Sequence, residues 1–327
     1  MVYIFFSDLV GTVENLIKEN VNFRDVFADE PRQMILVKSH LNDSNLEIPS
    51  FVAGKHYAEN FEKQWQRFKD TQLDSSNGTL ISKQFLEQLF GQSLEHLSGK
   101  TILEIGAGAG RFTEYFVRYA RLVVATDLSG AILFNAALGS KNLVAIQADL
   151  LAMPKMKIKF EYVFCRGVLQ HTPDPVTAIK RIHDWAKLEG EVIFDIYTPP
   201  RLGKLSHKYL WRPVIQRLFT FESFSKFLDR NVDRILRIRR RLKPFLPGIS
   251  NRVLNYIFPV SDFQGVFPLS EKQLIEWAKM DTLDAMFAVY DNPLKHEAVV
   301  NVLNQIGCQI ISANPKTNSF RTKISLK

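Results

Sequence analysis

The stretch Leu103-Glu104-Ile105-Gly106-Ala107-Gly108-Ala109-Gly110-Arg111 constrains this chain more than any other. An apolar strand runs into three alternate glycines and then into a helix-forming segment. Glycine permits the backbone that a sharp strand-to-helix turn needs, and its missing Cβ lets a ligand approach the main chain closely. The dinucleotide fingerprint G-x-G-x-x-G would place glycine at 111, where arginine stands. An acid, Glu104, also precedes the loop. The loop therefore predicts a ligand site at the carboxyl edge of a parallel sheet, but not the usual phosphate-rich dinucleotide site.

The surrounding pattern agrees. From residue 100 short apolar runs alternate with helical stretches, the signature of a parallel α/β sheet. Strands are expected at 101–105, 122–126, 143–147, 162–165 and 191–197. Helices are expected at 111–119, from a Ser129 cap through 138, and at 173–187, where Asp174 and Pro175 suit a first turn. Residues 198–292 break the alternation with many Phe, Arg and Pro. The end recovers it, with a helix at 296–305, Gly307 as its stop, and strands at 308–312 and 320–326 around a turn at 315–318. That hairpin is expected to close the sheet. Ahead of the sheet, the spacing predicts helices at 8–19, 57–69 and 83–90 and a loop at 74–78; Phe61, Trp65 and Phe68 form the apolar stripe of the second helix. The division is then 1–97 as an N-terminal extension, 98–197 as the ligand-binding core, 198–292 as a helical acceptor-binding insertion or lid, and 293–327 as the completion of the core sheet.

Composition narrows the class. Hydrophobic residues make up 46% and charged residues 23%, which excludes a disordered chain, a collagen and a disulfide scaffold. No apolar run approaches the ~18 residues of a membrane span, and the start lacks the basic region of a secretory signal, so a cytoplasmic protein is expected. Cys165 and Cys308 read as two buried thiols, and no His pairs with Cys or Glu at ligand spacing, so no metal is expected. The net charge of +8 favours an anionic partner without saying which.

Asp127 ends the second strand about 20 residues past the loop, where a carboxylate accepts hydrogen bonds from ribose hydroxyls. Asp149 ends the third strand, where it can accept from the exocyclic amine of a purine. Three acids at three strand ends suit a cationic nucleoside better than a phosphorylated one.

On these residues the sequence resembles the class I S-adenosylmethionine-dependent methyltransferases. The motifs are E-x-G-x-G-x-G at 104–110, Asp127, Ala148-Asp149, and Arg166-Gly-Val-Leu-Gln-His-Thr-Pro-Asp-Pro175. The resemblance covers 100–197 well and 293–327 loosely. It implies a Rossmann-like α/β fold, with a seven-stranded sheet and helices on both faces, and S-adenosylmethionine as cofactor. It also implies that Glu104, Gly106, Ala107 and Gly108 surround the methionine end, with the backbone of Arg166 and Gly167 facing it. Asp127 with Leu128 would bind ribose, and Asp149 with Leu150 the adenine. Residues 57–78, with Asp281-Thr-Leu-Asp284 and Tyr290-Asp-Asn-Pro293, further resemble methyltransferases of bacterial secondary-metabolite and surface-glycan clusters. Many of those carry a cysteine-rich zinc module ahead of the leader; this chain has no cysteine before 165.

The implied activity is methyl transfer to a small-molecule or glycan acceptor at a hydroxyl, amine or carbon; the net charge would suit an anionic acceptor. An RNA methyltransferase, or a cofactor-binding protein without methyl transfer, is the alternative. Nucleic acid is disfavoured because Cys165-Arg-Gly-Val168 stands where amino-group nucleic-acid methyltransferases carry an Asn/Asp-Pro-Pro-Tyr motif. His171, just past strand four, is the candidate base, needed if the acceptor must lose a proton. Tyr197 is a second catalytic candidate, ranked above Asp195; His207 and Tyr290 are candidate substrate contacts. Phe219, Phe221, Phe224 and Phe227 are expected to fill the insertion's core. Arg230, Arg234, Arg237 and Arg241 recur at helical spacing, reinforced by Arg239, Arg240 and Lys243, beside Val232, Ile235 and Leu242. That 230–243 stripe reads as a solvated face or, more sharply, as a contact for an anionic acceptor or a peripheral membrane surface.

Overall fold

A computed structural model describes residues 35–41, 44–245 and 251–325; the helix expected at 8–19 lies outside them. The chain falls into two compact units. One joins the described residues up to Glu59 with Ser82–Thr198 and the stretch from Tyr290 onward. The other joins Asn60–Ile81 with Pro199–Val289, so residues 60–81, read above with the N-terminal extension, cluster with the insertion.

The first unit is built on one mixed sheet. Its strands are β1 (Ile35–Leu41), β2 (Ser44–Ser50), β3 (Thr101–Ile105), β4 (Leu122–Asp127), β5 (Leu143–Gln147), β6 (Phe160–Cys165), β7 (Ala186–Asp195), β8 (Cys308–Asn314) and β9 (Ser319–Ile324). Their spatial order is β1-β2-β5-β4-β3-β6-β7-β9-β8. The five central strands from β5 to β7 run parallel, and β9 and β8 close the sheet antiparallel. Seven of the nine strands are those expected. The other two form an N-terminal hairpin that extends the sheet past β5, through a single pair of Ser50 with Gln147.

Every residue of β3 is buried, the polar Thr101 and Glu104 included, because helices cover both faces. Alternate residues split the core. Leu103, Ile105, Val124, Val163 and Cys165 pack with Ile179, Ile182, Val299 and Leu303 from the helices Pro175–Asp184 and His296–Gln305. Ile102, Val123, Phe164 and Ile193 pack with Leu86, Phe90, Phe112 and Phe116 on the other side.

Two element ends differ from expectation. β7 starts at Ala186, and the preceding helix ends at Asp184. Phe160 pairs with Ala186 and donates its N–H to the Trp185 carbonyl, so the ladder takes residues that local propensity assigns to the helix. β7 also stops at Asp195, leaving Tyr197 beyond the strand, 39% exposed. Cys165 is buried, whereas Cys308 is only half-buried; both are free thiols.

The second unit is helical. Its longer helices are Glu59–Phe68, His207–Leu218, Phe221–Leu242 and Glu271–Phe287. Reciprocal capping boxes, Thr220 with Ser223 and Ser270 with Gln273, start the last two and satisfy amides that a helix start leaves unpaired. Phe221, Phe224, Leu228, Val232 and Leu236 form a buried stripe at helical spacing against Trp277, Met280, Leu283 and Met286. Phe219 and Phe227 pack at the margin of that core. The stretch expected as a loop at 74–78 is a single helical turn, Asp74–Asn77, ended by Gly78 at φ 74°.

The arginine stripe is less uniform than the spacing suggests. Arg230, Arg234, Arg237 and Arg241 are exposed, with Arg237 paired to Asp233 on its own helix. Arg239 is buried and donates to the Val260 carbonyl, and Arg240 bonds Asp262 at 2.9 Å and Glu271 at 3.1 Å. Val232 lies in the core, whereas Leu242 is exposed, so the flanking apolar stripe is not continuous. Among the described residues no helix is long and apolar enough to cross a membrane.

Candidate cofactor and active site

The carboxyl rim of β3, β4, β5 and β6 gathers Glu104, Gly106, Ala107, Gly108, Asp127, Leu128, Asp149, Leu150, Arg166 and Gly167 in one unit. The glycine loop is tied to the strand beside it: the Gly106 and Ala107 amides both donate to the Thr126 carbonyl, at 2.7 and 3.0 Å. Gly106 sits at φ 74°, and a Cβ there would lie 2.0 Å from Val168 Cγ2. The positive φ and the Val168 side chain together favour glycine at 106. Asn135, fully buried, donates its amide to the Gly108 carbonyl at 2.6 Å and closes the loop from the other side.

Asp127 braces this loop. Its Oδ2 accepts from the Gly108 N–H at 2.8 Å, and its Oδ1 accepts from the Ser129 N–H at 2.8 Å and hydroxyl at 2.6 Å. A carboxylate offers about four acceptor positions. Three are taken by these bonds, which leaves one on Oδ2. Burial pushes its pKa up, opposed by the donors on Ser129 and Gly108. Glu104 is 2% exposed and accepts from the Thr113 hydroxyl at 2.6 Å. Burial, with a smaller push from the Asp127 charge, raises it to about 8.

Asp149 accepts from the Leu151 N–H at 2.9 Å and from the Tyr57 hydroxyl at 3.1 Å, both on Oδ1. Burial and the Asp149 charge push the Tyr57 pKa upward, so the phenol stays a donor. Leu150, next in the chain, is buried in the main core; the Leu128 carbonyl accepts from Gln147 Nε2.

Beyond β6 the chain turns at Gly167, φ 69°, where a Cβ would meet nothing within 4 Å. Asp195 holds this turn. It ends β7, accepts from the Gly167 N–H at 2.7 Å and pairs with the Arg166 guanidinium at 3.0 Å. Arg166 also stacks on Phe85, 3.8 Å from its ring centroid.

The next turn, Leu169–His171, presents His171, which is buried. Its Nδ1 lies 2.9 Å from the Tyr290 carbonyl. A carbonyl only accepts, so Nδ1 carries the proton and Nε2 is the basic nitrogen of the neutral ring. The Tyr197 ring meets His171 edge-on at 5.6 Å, and the Tyr290 ring meets Tyr57 edge-on at 5.2 Å. The segment from Tyr290 is laid along this turn by bonds from Asn292 to the Gln170 and Thr172 carbonyls. Asp149, Tyr57, Tyr290, His171 and Tyr197 are thus linked in one chain of contacts. His207 lies in the second unit, where its ring meets Tyr256 at 5.7 Å; burial, then Lys208 and Arg239, lowers its pKa.

Tyr57, Asn135 and the bracing role of Asp195 escape a reading by motif. Tyr57 stands in the leader already singled out, but only the fold brings it to Asp149. Asn135 had no signal, because its partner is a backbone carbonyl.

The donor set fits a cationic nucleoside. Open acceptor positions remain on Asp127 and Asp149 at the strand ends, where a carboxylate disfavours phosphate. Among the described residues no cluster of His, Cys, Asp and Glu is arranged to hold a metal ion.

Residues 103–194 match the family model described as a methyltransferase domain. This part of the chain is thus a methyltransferase domain, and its glycine loop and strand-end acids fit S-adenosylmethionine as cofactor. A tRNA U34 carboxymethyltransferase of Desulforapulum autotrophicum is 30% identical over 32% of this chain and 34% of its own length. A ubiquinone biosynthesis O-methyltransferase of Pseudomonas syringae pv. tomato is 32% identical over 30% of this chain and 45% of its own. The chain thus spans less than half the length of these relatives. Among solved structures, a SAM-dependent methyltransferase from Aquifex aeolicus is 10% identical with a TM-score of 0.39, covering 82% of this chain and 97% of that one.

Proposed function

We propose that the chain transfers a methyl group from S-adenosylmethionine to a small-molecule or glycan acceptor. The observation that carries this reading is the rim of acids beside a glycine loop, within the stretch that matches a methyltransferase domain. The open position on Asp127 would accept from ribose, and Asp149 from the purine amine. Gly106, Ala107, Gly108 and the Arg166–Gly167 backbone would face the methionyl end, with Glu104 beneath the loop. When bound, the cofactor supplies an electrophilic methyl group that an acceptor atom displaces in line.

The chain's own part is positioning and, where the acceptor must lose a proton, base catalysis. His171 Nε2 is the acceptor for that proton, since the Tyr290 carbonyl fixes the tautomer. Tyr197, against the His171 ring, would orient the base or touch the acceptor. Tyr290 would position His171 through its backbone.

Calorimetry with S-adenosylhomocysteine tests the cofactor assignment: one-to-one binding is expected, and no binding would refute it. His171→Ala should cut turnover at least tenfold while cofactor affinity stays within about twofold. Unchanged turnover would remove His171 as the base. An RNA acceptor is the second reading, prompted by the +8 charge. Methyl incorporation into total RNA and into a small-molecule extract separates the two.

A further inference from the structure

From Ile196 to Phe221 the chain has five Lys or Arg residues and no Asp or Glu. The same stretch exposes large apolar side chains: Leu202 at 61%, Leu205 at 65%, Leu210 and Val214 at 45% each, and Leu218 at 69%. Single exposed leucines are ordinary on a protein surface, but this density within 17 residues, unrelieved by any acid, is not.

The helix His207–Leu218 explains how they come to be exposed together. Leu210, Val214 and Leu218 recur every four residues and share one face. A different face is committed to the unit's interior. Ile215 is buried there, Arg212 bonds the Ala285 carbonyl, and Gln216 bonds the Met286 carbonyl. The helix cannot roll to bury its leucines without breaking those bonds. Ahead of it, the short turn Gly203–Leu205 displays Leu202 and Leu205. Arg201, Lys204 and Arg217 lie exposed among these apolar residues. No ion pair holds any of the three among the described residues.

We propose that this face, residues 201–218, docks on an anionic lipid bilayer. Leucine and valine side chains set among the exposed cations Arg201, Lys204 and Arg217 match an interface where acyl chains lie just beneath negative headgroups. An uncharged apolar partner would leave the cations unmatched, and a second copy of the face would set cation against cation. The surface differs from the 230–243 stripe, where Arg237, Arg239 and Arg240 are committed within the protein. The inference is independent of the methyl acceptor.

Sedimentation of the full chain with vesicles tests it. Binding is expected to phosphatidylglycerol–phosphatidylcholine vesicles, at least tenfold tighter than to phosphatidylcholine alone, and weaker at high salt. A Leu205→Glu, Leu218→Glu variant should lose about tenfold or more in vesicle binding. Its melting temperature and S-adenosylhomocysteine affinity should stay unchanged, because both side chains are exposed. An Arg201→Gln, Lys204→Gln variant should lose the preference for anionic vesicles while keeping the leucines. Equal binding to both vesicle types, or an unaltered leucine variant, overturns the proposal. So does a salt-resistant dimer that the leucine variant dissociates, which would make a second copy the occupant.

Discussion

The two units handle buried charge in different ways. In the second, Asp262 meets guanidinium groups: Arg240 at 2.9 Å, with Arg239 beyond, and its pKa falls below the usual carboxylate range despite burial. At the rim of the first, Asp127 and Glu104 accept hydrogen bonds from neutral donors, namely amide N–H groups and hydroxyls, and burial wins over these and over the His56 charge beside Asp127, so both pKa values rise; Asp195 of the same unit is matched by Arg166 instead, and burial raises it too. An acid matched by arginine is spent on structure. An acid held by neutral donors keeps acceptor capacity that no cation of the protein has claimed: Asp127 retains an open position on Oδ2, whereas Glu104, raised to about 8, is largely protonated at neutral pH and adds little field. Asp281 is the exception in the second unit: it is bonded by the Ser261 hydroxyl, and burial lifts it to about 6.

Substitutions can break or sharpen this contrast. The largest effect is expected at Asp127→Asn. One amide oxygen cannot replace both carboxylate oxygens, and an NH2 facing the Gly108 N–H would release the loop. Cofactor affinity should fall by about 100-fold, from two or more lost charge-assisted bonds; calorimetry reads it, and a loss below threefold would contradict the assignment.

Arg240→Met should act on stability alone. It strands Asp262 and should cost about 1–3 kcal/mol, discounted for partial exposure, with cofactor affinity unchanged. Because the Asp262 pKa is depressed, its contribution is present above the ordinary carboxylate range and lost as pH falls. The wild-type advantage in melting temperature should therefore shrink on acidification.

Tyr57→Phe removes the donor that orients Asp149 and should weaken S-adenosylhomocysteine binding about three- to tenfold. The inosine analogue, which lacks the purine amine, should be affected less. Equal losses for both ligands would mean that Tyr57 merely packs.

The smallest effect on cofactor binding is expected at Glu104, whose influence falls on stability. Its raised pKa gives stability that is full below the unfolded value and lost as pH rises through about 8. Glu104→Gln mimics the protonated form, so its melting temperature should decline less than that of the wild type between pH 5.5 and 8.5.

Much of the first unit was legible in the sequence because its strands are covered on both faces. Continuous apolar runs such as Leu143–Gln147 leave little choice of register or limit, and the helix His296–Gln305 carries its own stop at Gly307. Element ends set by partners were not legible: β7 begins early because Phe160 pairs with Ala186, which no local pattern reveals. The N-terminal hairpin alternates apolar residues with Lys38, His40, Asn45 and Glu47, too weak a pattern to stand out. Spacing also placed Arg239 and Arg240 on a solvated stripe, but their partners, Val260 and Asp262, lie on a segment some twenty residues away. At the site, acids at strand ends could be read from position. The donors that brace them, Tyr57, Asn135 and the amide of Gly108, required the fold.

The order in which the first unit is threaded has a consequence for its birth on the ribosome. β7 is synthesised with one edge already matched by β6, yet its other neighbour, β9, follows only after the whole helical unit has emerged. Until then a row of backbone donors and acceptors on β7 lies open, and His183 lacks Thr322, its partner across that gap. A nascent chain stalled within the helical unit would present a sticky, unfinished sheet, a target for chaperones and for association with its own siblings.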